Sequence, residues 1–133
     1  MTDKIFVYGT LMAGFDRRRR VGIDTRMTYL GRGWIAAALY DLGLFPAAVP
    51  APDGRVVGEL YEVVDDGSVL VKLDEIEGYR PNEPDTSLYM RALANVTLED
   101  GTQHTAWVYF YNAPLGQGQL IESGDYLAHL RVK

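Results

Sequence analysis

The stretch LYMRALANVTL-EDGT-QHTAWVYFY, residues 88–111, decides how this chain folds. Leu88 to Leu98 and Gln103 to Tyr111 are extended runs on either side of Asp100-Gly101, a dipeptide that favours tight reversal between antiparallel strands. In the second run, alternation places Trp107, Tyr109 and Tyr111 on one face and Phe110 on the other. Such an aromatic face suits either a packed core or a site wall carrying phenol donors.

Working outward, Ile5-Phe6-Val7-Tyr8 is a β-branched and aromatic run that stops at Gly9, and it reads as a buried first strand. Met27 to about Tyr40 reads as two strands or one bent strand, with Gly31 and Gly33 marking a bulge or a close backbone approach. Asp41 to Pro52 carries one glycine and three prolines and is expected to be loop with short extended pieces. Asp53-Gly54 reads as a hairpin turn leading into a strand over Val56–Val64. Ser68 to Glu77 is the clear helix, with Ser68 or Asp66 to cap it, Gly78 to end it and Pro81 shortly beyond. After a glycine-containing loop, Tyr126 to Val132 forms a short helical or extended piece. About six strands and one helix make one α+β domain over residues 1–133, built on a small, mostly antiparallel, barrel-like sheet. The alternative is an open sheet with the helix on one face.

Composition narrows the function. Of the 133 residues 47% are hydrophobic and 23% charged, as in globular domains and not in disordered chains. The net charge of −5 argues against nucleic acid as a partner. Cysteine is absent, which excludes thiol nucleophiles, disulfides and cysteine metal sites. His104 and His129 lie far apart and outside any metal-binding spacing, so no metal site is expected. None of Ser68, Ser87 and Ser123 sits in a Gly-x-Ser-x-Gly elbow, which speaks against a serine hydrolase. No basic-plus-apolar leader opens the sequence and no apolar run approaches the ~20 residues of a membrane span. A soluble, cytoplasmic protein without membrane partners is expected.

The helix offers a candidate acid or base. With Val69 at 0° and ~100° per residue, Leu73 lies at ~40° and Ile76 at ~340°. Glu75, at ~240°, faces solvent; Asp74, at ~140°, falls on the border; Glu77, at ~80°, lies inside the apolar arc. Glu77 is thus the acidic side chain of this segment expected to point toward the core. Partial burial and the negative end of the helix dipole both favour its protonated form, which suits proton transfer near neutral pH. A glutamate that reaches solvent, or pairs with Arg80 or Arg91, is the structural alternative. At the end of the first strand, Tyr8-Gly9-Thr10-Leu11 can turn sharply and present successive amides to an anion, or be an ordinary strand-to-loop turn. Phe15 and not lysine follows Gly14, so this is no phosphate loop. Arg17 to Arg20 read as a solvated loop beside Asp16, or as contacts for an anionic partner.

Taken in order, these pieces resemble the gamma-glutamylcyclotransferase-like family. The matching blocks are Phe6-Val7-Tyr8-Gly9-Thr10-Leu11-Met12 with Gly14, Leu39-Tyr40-Asp41-Leu42-Gly43 with Pro46, and Val57-Gly58-Glu59-Leu60-Tyr61. Leu73-Asp74-Glu75-Ile76-Glu77-Gly78-Tyr79, Tyr89-Met90-Arg91, Ala106-Trp107-Val108-Tyr109 and Gly124-Asp125-Tyr126 complete the set. The ordered set carries the resemblance, and the bacterial branch and gamma-glutamylamine cyclotransferases are most similar. It implies a small mixed β-barrel with helices and a cavity floored by the Tyr8–Leu11 turn. It also implies Glu77 as the catalytic acid/base, the residue that the wheel singles out independently.

The implied activity is release of 5-oxoproline from a gamma-glutamyl amine or peptide. Substrate-binding residues are expected at Tyr8, Gly9, Thr10, Leu11, Tyr89 and Tyr111, with no metal or organic cofactor. The sequence departs from the family pattern at Asp16 and the arginine run, and in the acidic, proline-bearing stretch from Pro81 to Leu88, which bears on the leaving group. A non-catalytic small-molecule binding or regulatory domain with the same pocket stays open as the alternative, as does an interaction module that uses the arginines.

Overall fold

The computed structural model describes residues 4–9, 26–43, 45–63, 68–77, 79–80, 82–83 and 87–131. Among these, eight strands and two helices follow one another: β1 (Lys4–Val7), β2 (Met27–Ile35), β3 (Ala37–Asp41), β4 (Pro46–Pro50), β5 (Val56–Val63), α1 (Ser68–Glu77), β6 (Tyr89–Leu98), β7 (Gln103–Tyr111), β8 (Gln119–Leu120) and α2 (Tyr126–Arg131).

Five strands close into a barrel in the order β1-β5-β2-β6-β7. Every neighbouring pair is antiparallel except β1 and β7, which run parallel and meet at Ile5 and Trp107. The mixed, mostly antiparallel barrel is therefore present, and the open-sheet alternative is not. The hairpin β6–β7 has the expected register, with Tyr89 opposite Tyr111 and Thr97 opposite Gln103. Its reversal is the four-residue connection 99–102, in which Gly101 takes a φ of 87° and donates its N–H to the Leu98 carbonyl at 2.9 Å.

Both glycines of β2 have the expected reasons. Register shifts between Tyr29 and Gly31, a bulge. At Gly33 a Cβ would stand 2.3 Å from the Thr97 carbonyl oxygen, so only glycine lets β2 approach β6 at the seam that closes the barrel.

Two expectations need correction. The proline-bearing segment after Asp41 is not mainly loop: Pro46–Pro50 is a strand, β4, in a second sheet ordered β4-β3-β8. Proline is tolerated there because β4 is an edge strand that pairs on one side only. Asp53-Gly54 is not a hairpin turn, since β4 pairs with β3 whereas β5 pairs with β1 and β2. The Gly54 N–H closes a turn onto the Ala51 carbonyl at 3.1 Å, and the chain passes there from one sheet to the other. Strand β8 was not foreseen either; two residues pairing with Tyr40 and Asp41 leave no periodicity to read.

Phe6, Val56, Leu60, Val96, Ala106 and Val108 form a fully buried core. Helix α1 adds Val69 and Leu73, both at 0% exposure, while Val71, two residues on from Val69 and so ~200° round the helix, is exposed. The Tyr79 N–H donates to the Asp74 carbonyl at 2.9 Å, the six-to-one bond of a closed helix C-terminus. Gly78 itself lies outside the described residues, as do the alternative cap Asp66 and Arg17 to Arg20. Helix α2 follows the Gly124-Asp125 turn; Asp125 accepts the Ala128 N–H at 3.1 Å and ion-pairs with Arg32 of β2 at 2.6 Å. No described helix is long and apolar enough to cross a membrane.

Candidate active site

One end of the barrel gathers most of the residues singled out above. Strand β1 ends at Val7 and delivers Tyr8, which is 6% exposed. Its hydroxyl donates to the Tyr109 carbonyl at 2.5 Å and accepts the Ala48 N–H at 3.4 Å. That phenol therefore braces β1 against β7 and β4. At Gly9 a Cβ would stand 2.9 Å from Cγ of Pro46, so the turn after β1 lies against the start of β4. The Pro46 carbonyl in turn accepts the buried Tyr89 hydroxyl at 2.7 Å. The Tyr89 and Tyr111 rings stand edge to face at 5.4 Å, and Phe45 packs on both, at 6.1 and 6.2 Å. Thr10 and Leu11 lie outside the described residues.

Glu77, the last residue of α1, is half-buried. Its charge reaches two of the phenols. Tyr8 is raised well above the usual tyrosine value, first by burial, then by Tyr89 and then by Glu77, with the Ala48 amide opposing. Tyr109 is also pushed far up, first by burial, then by its bond to Asp74 and the Asp74 charge, with a further contribution from Glu77. Both phenols are neutral donors throughout the physiological range. The structure thus brings Tyr8, Gly9, Glu77, Tyr89 and Tyr111 to one end of the fold, and the hydroxyls of Tyr8 and Tyr89 bond to backbone.

The helical wheel missed one acid. Asp74, placed on the border, is 7% exposed and more buried than Glu77, so Glu77 is not the sole carboxylate of this segment that turns inward. Asp74 Oδ1 accepts Arg91 Nε at 2.8 Å and the Tyr109 hydroxyl at 2.5 Å; Oδ2 accepts a second Arg91 nitrogen at 3.3 Å. Arg91 also lies 4.4 Å over the Trp107 ring. The expected face of Trp107, Tyr109 and Tyr111 is present, and it meets α1 through this clasp. Among the interactions just given, Arg91 serves Asp74, while Arg80 pairs with Glu83 at 3.5 Å.

The histidines are spent elsewhere. His104 meets Lys4 and Thr102, each at 3.1 Å, and His129 meets Asp41 at 2.8 Å. Chemically, the arrangement is one half-buried carboxylate, Glu77, whose charge reaches neutral phenols packed among aromatic rings. It suits moving a proton on a bound molecule better than attacking one.

Comparison with known proteins identifies the family. The family model described as Gamma-glutamyl cyclotransferase, AIG2-like matches residues 5–128. A Methanocaldococcus jannaschii protein is 34% identical over 125 residues, 93% of this chain and 95% of that one. The Gamma-glutamylcyclotransferase family protein YtfP of Escherichia coli is 37% identical over 128 residues, covering 93% of this chain and 96% of its own. Its solution structure superposes with a TM-score of 0.64 over 98% of this chain and 99% of that one. The crystal structure of an AIG2-like protein from Mus musculus is 25% identical, with a TM-score of 0.69 over 93% and 87%. The chain belongs to the gamma-glutamyl cyclotransferase, AIG2-like family and is an enzyme of the gamma-glutamylcyclotransferase type.

Proposed function

We propose that the protein releases 5-oxoproline from a gamma-glutamyl amine or peptide, with Glu77 as general acid and base. The observation that carries this reading is the position of Glu77: half-buried at the end of α1, with its charge felt by Tyr8 and Tyr109. The substrate's own α-amine attacks its γ-carbonyl. A carbon–nitrogen bond forms, closing a five-membered ring, and the original γ-amide bond breaks. Glu77 takes a proton from the α-ammonium before attack and a second from the ring nitrogen as the tetrahedral intermediate collapses, and hands both in turn to the departing nitrogen, which leaves as an ammonium, so the protein ends unchanged. No protein nucleophile is required, which fits a chain without cysteine.

The amides of Gly9, Thr10 and Leu11 are assigned to the substrate carboxylate or the developing oxyanion. The phenyl ring of Tyr111 and the wall formed by Tyr8 and Tyr89 hold the glutamyl chain bent for cyclisation, an orientation effect that reaches several kcal/mol. Metal ions and organic cofactors have no step to perform. The substrate is a small molecule, and the setting is soluble and cytoplasmic.

The test is 5-oxoproline release, followed by mass spectrometry, over a panel of gamma-glutamyl amino acids, peptides and amines. Glu77→Gln should lower kcat/KM by at least about 100-fold with native circular dichroism. Equal release by both proteins would make Glu77 structural and sink the mechanism. No release from any panel member, with binding retained, would favour the alternative of a binding domain.

A further inference from the structure

We infer that Arg91 is a positioning residue for Glu77: from β6 it grips, on both sides, the helix turn that carries this carboxylate. The inference rests on the cyclotransferase reading and adds the residue that holds its acid and base in place. Glu77 is the last residue of α1, and helix ends fray. The last turn of α1 has no basic side chain of its own to set against the negative end of the helix dipole. A proton carrier placed there needs support from outside the helix.

Arg91 supplies that support at two points. Three residues before Glu77, Asp74 accepts Arg91 Nε at 2.8 Å and a second guanidinium nitrogen at 3.3 Å. Two residues after Glu77, the Tyr79 ring lies 5.9 Å from the same guanidinium. The backbones of Asp74 and Tyr79 are joined as well, through the Tyr79 N–H and the Asp74 carbonyl at 2.9 Å. The chain from 74 to 79 is therefore a closed loop with Glu77 inside it, and one side chain holds both of its ends. The guanidinium is itself held, 4.4 Å over the Trp107 ring of β7, and the Arg91 side chain is 17% exposed. A planar fork that takes a carboxylate along its edge and rings on its faces belongs to arginine and not to lysine.

The same loop is tied to the other half of the site. Asp74 Oδ1 also accepts the Tyr109 hydroxyl, and the Tyr109 carbonyl accepts the hydroxyl of Tyr8, beside the turn assigned to the substrate carboxylate. Both phenols feel the Glu77 charge. Glu77 and the β1 turn are thus set relative to each other through β7. Proton transfer depends on that spacing, because a displacement of about 1 Å can cost roughly 100-fold in rate.

Arg91→Lys tests this, since lysine keeps the charge and gives up the fork and the stacking. Steady-state rates on the best gamma-glutamyl substrate are measured alongside urea unfolding, and kcat is referred to the folded fraction. It should fall at least about tenfold while KM stays within about twofold, because Asp74, Tyr79 and Trp107, the partners of Arg91, are not assigned to substrate. Hydrogen exchange should quicken at the Tyr79 amide more than at Val108, the local sign of a loosened turn. A role in stability alone would lower the urea midpoint and leave kcat per folded molecule unchanged, and that result overturns the inference, as does a loss carried by KM. If Arg91→Lys does not fold, Tyr109→Phe removes one bond to Asp74 and should lower kcat per folded molecule at least about threefold, with an unchanged value again overturning the inference. Wild type and Glu77→Gln are assayed in the same series. Loss of release in Glu77→Gln with full activity in Arg91→Lys would keep the cyclotransferase reading and remove the positioning role. No release by wild type, or equal release by Glu77→Gln, would remove both.

Discussion

Asp74 and Glu77 lie three residues apart on one helix and share its inward side, but their surroundings differ. Asp74 is held by Arg91 and the Tyr109 hydroxyl, with side-chain exposures of 10% for Asp74 and 17% for Arg91. Removing one partner of such a pair leaves a buried charge uncompensated, which costs more than the pair contributes. Arg91→Met should therefore destabilise the protein by about 3 kcal/mol in urea unfolding. Asp74→Asn with Arg91→Met should recover part of that, because asparagine still accepts the Tyr109 hydroxyl. An Arg91→Met midpoint equal to wild type would show that the clasp does not hold α1. The sequence could not rank these two acids. The wheel measures direction about one helix axis and contains nothing about Arg91 and Tyr109, which reach Asp74 from β6 and β7. The half-buried position of Glu77 was legible because its angle lies well inside the apolar arc; the Leu-Asp-x-x-Glu-Gly-Tyr block points to the same residue by a separate route.

At the scale of elements, local patterns succeeded where the chain pairs with its own near neighbours. The β6–β7 hairpin and the glycines of β2 were read correctly because alternation, turn chemistry and missing side chains are local properties. Strand β4 was misread because its two prolines signal loop everywhere except at an edge, and edge position is a property of the assembled sheet. The β2–β6 seam is the element-scale weak point: Gly33 pairs with Leu98, Trp34 with Thr97, and the Glu99 N–H reaches the Arg32 carbonyl at 3.0 Å. A methyl group at Gly33 would push against the Thr97 carbonyl and force the two strands apart. Gly33→Ala should cost about 3 kcal/mol of stability. It should also speed hydrogen exchange at the Glu99 amide more than at Val108, in the β6–β7 hairpin. Uniform loss of protection across the barrel would mean that the seam opens only with the whole fold.

For the whole molecule, closure of the barrel depends on Ile5 lying beside Trp107, a parallel contact between the first and seventh strands that no local pattern announces. The ordered family blocks carried that information, and the residues alone reached only a barrel-like sheet. Closure also buries Tyr8 and Tyr109 side by side, and this couples global stability to alkaline pH. Both phenols have folded pKa values raised above the unfolded value. Below about pH 10 both states keep these protons and the contribution is fully present. Above it the unfolded chain ionises while the native state does not, so the native state binds more protons and stability falls as pH rises. Each such phenol adds a slope of about 1.4 kcal/mol per pH unit, about 2.7 for the two. Urea unfolding over a pH series should show this fall, and Tyr109→Phe should remove about half of the tyrosine part, isolating it from other alkaline titrations. Phenolate absorbance checks the same point directly: of the nine tyrosines, Tyr8 and Tyr109 should withhold their signal until the protein unfolds. Nine phenols titrating together in the folded state would mean that this end of the barrel admits water freely. A site that excludes water to keep its phenols neutral could then not be built there.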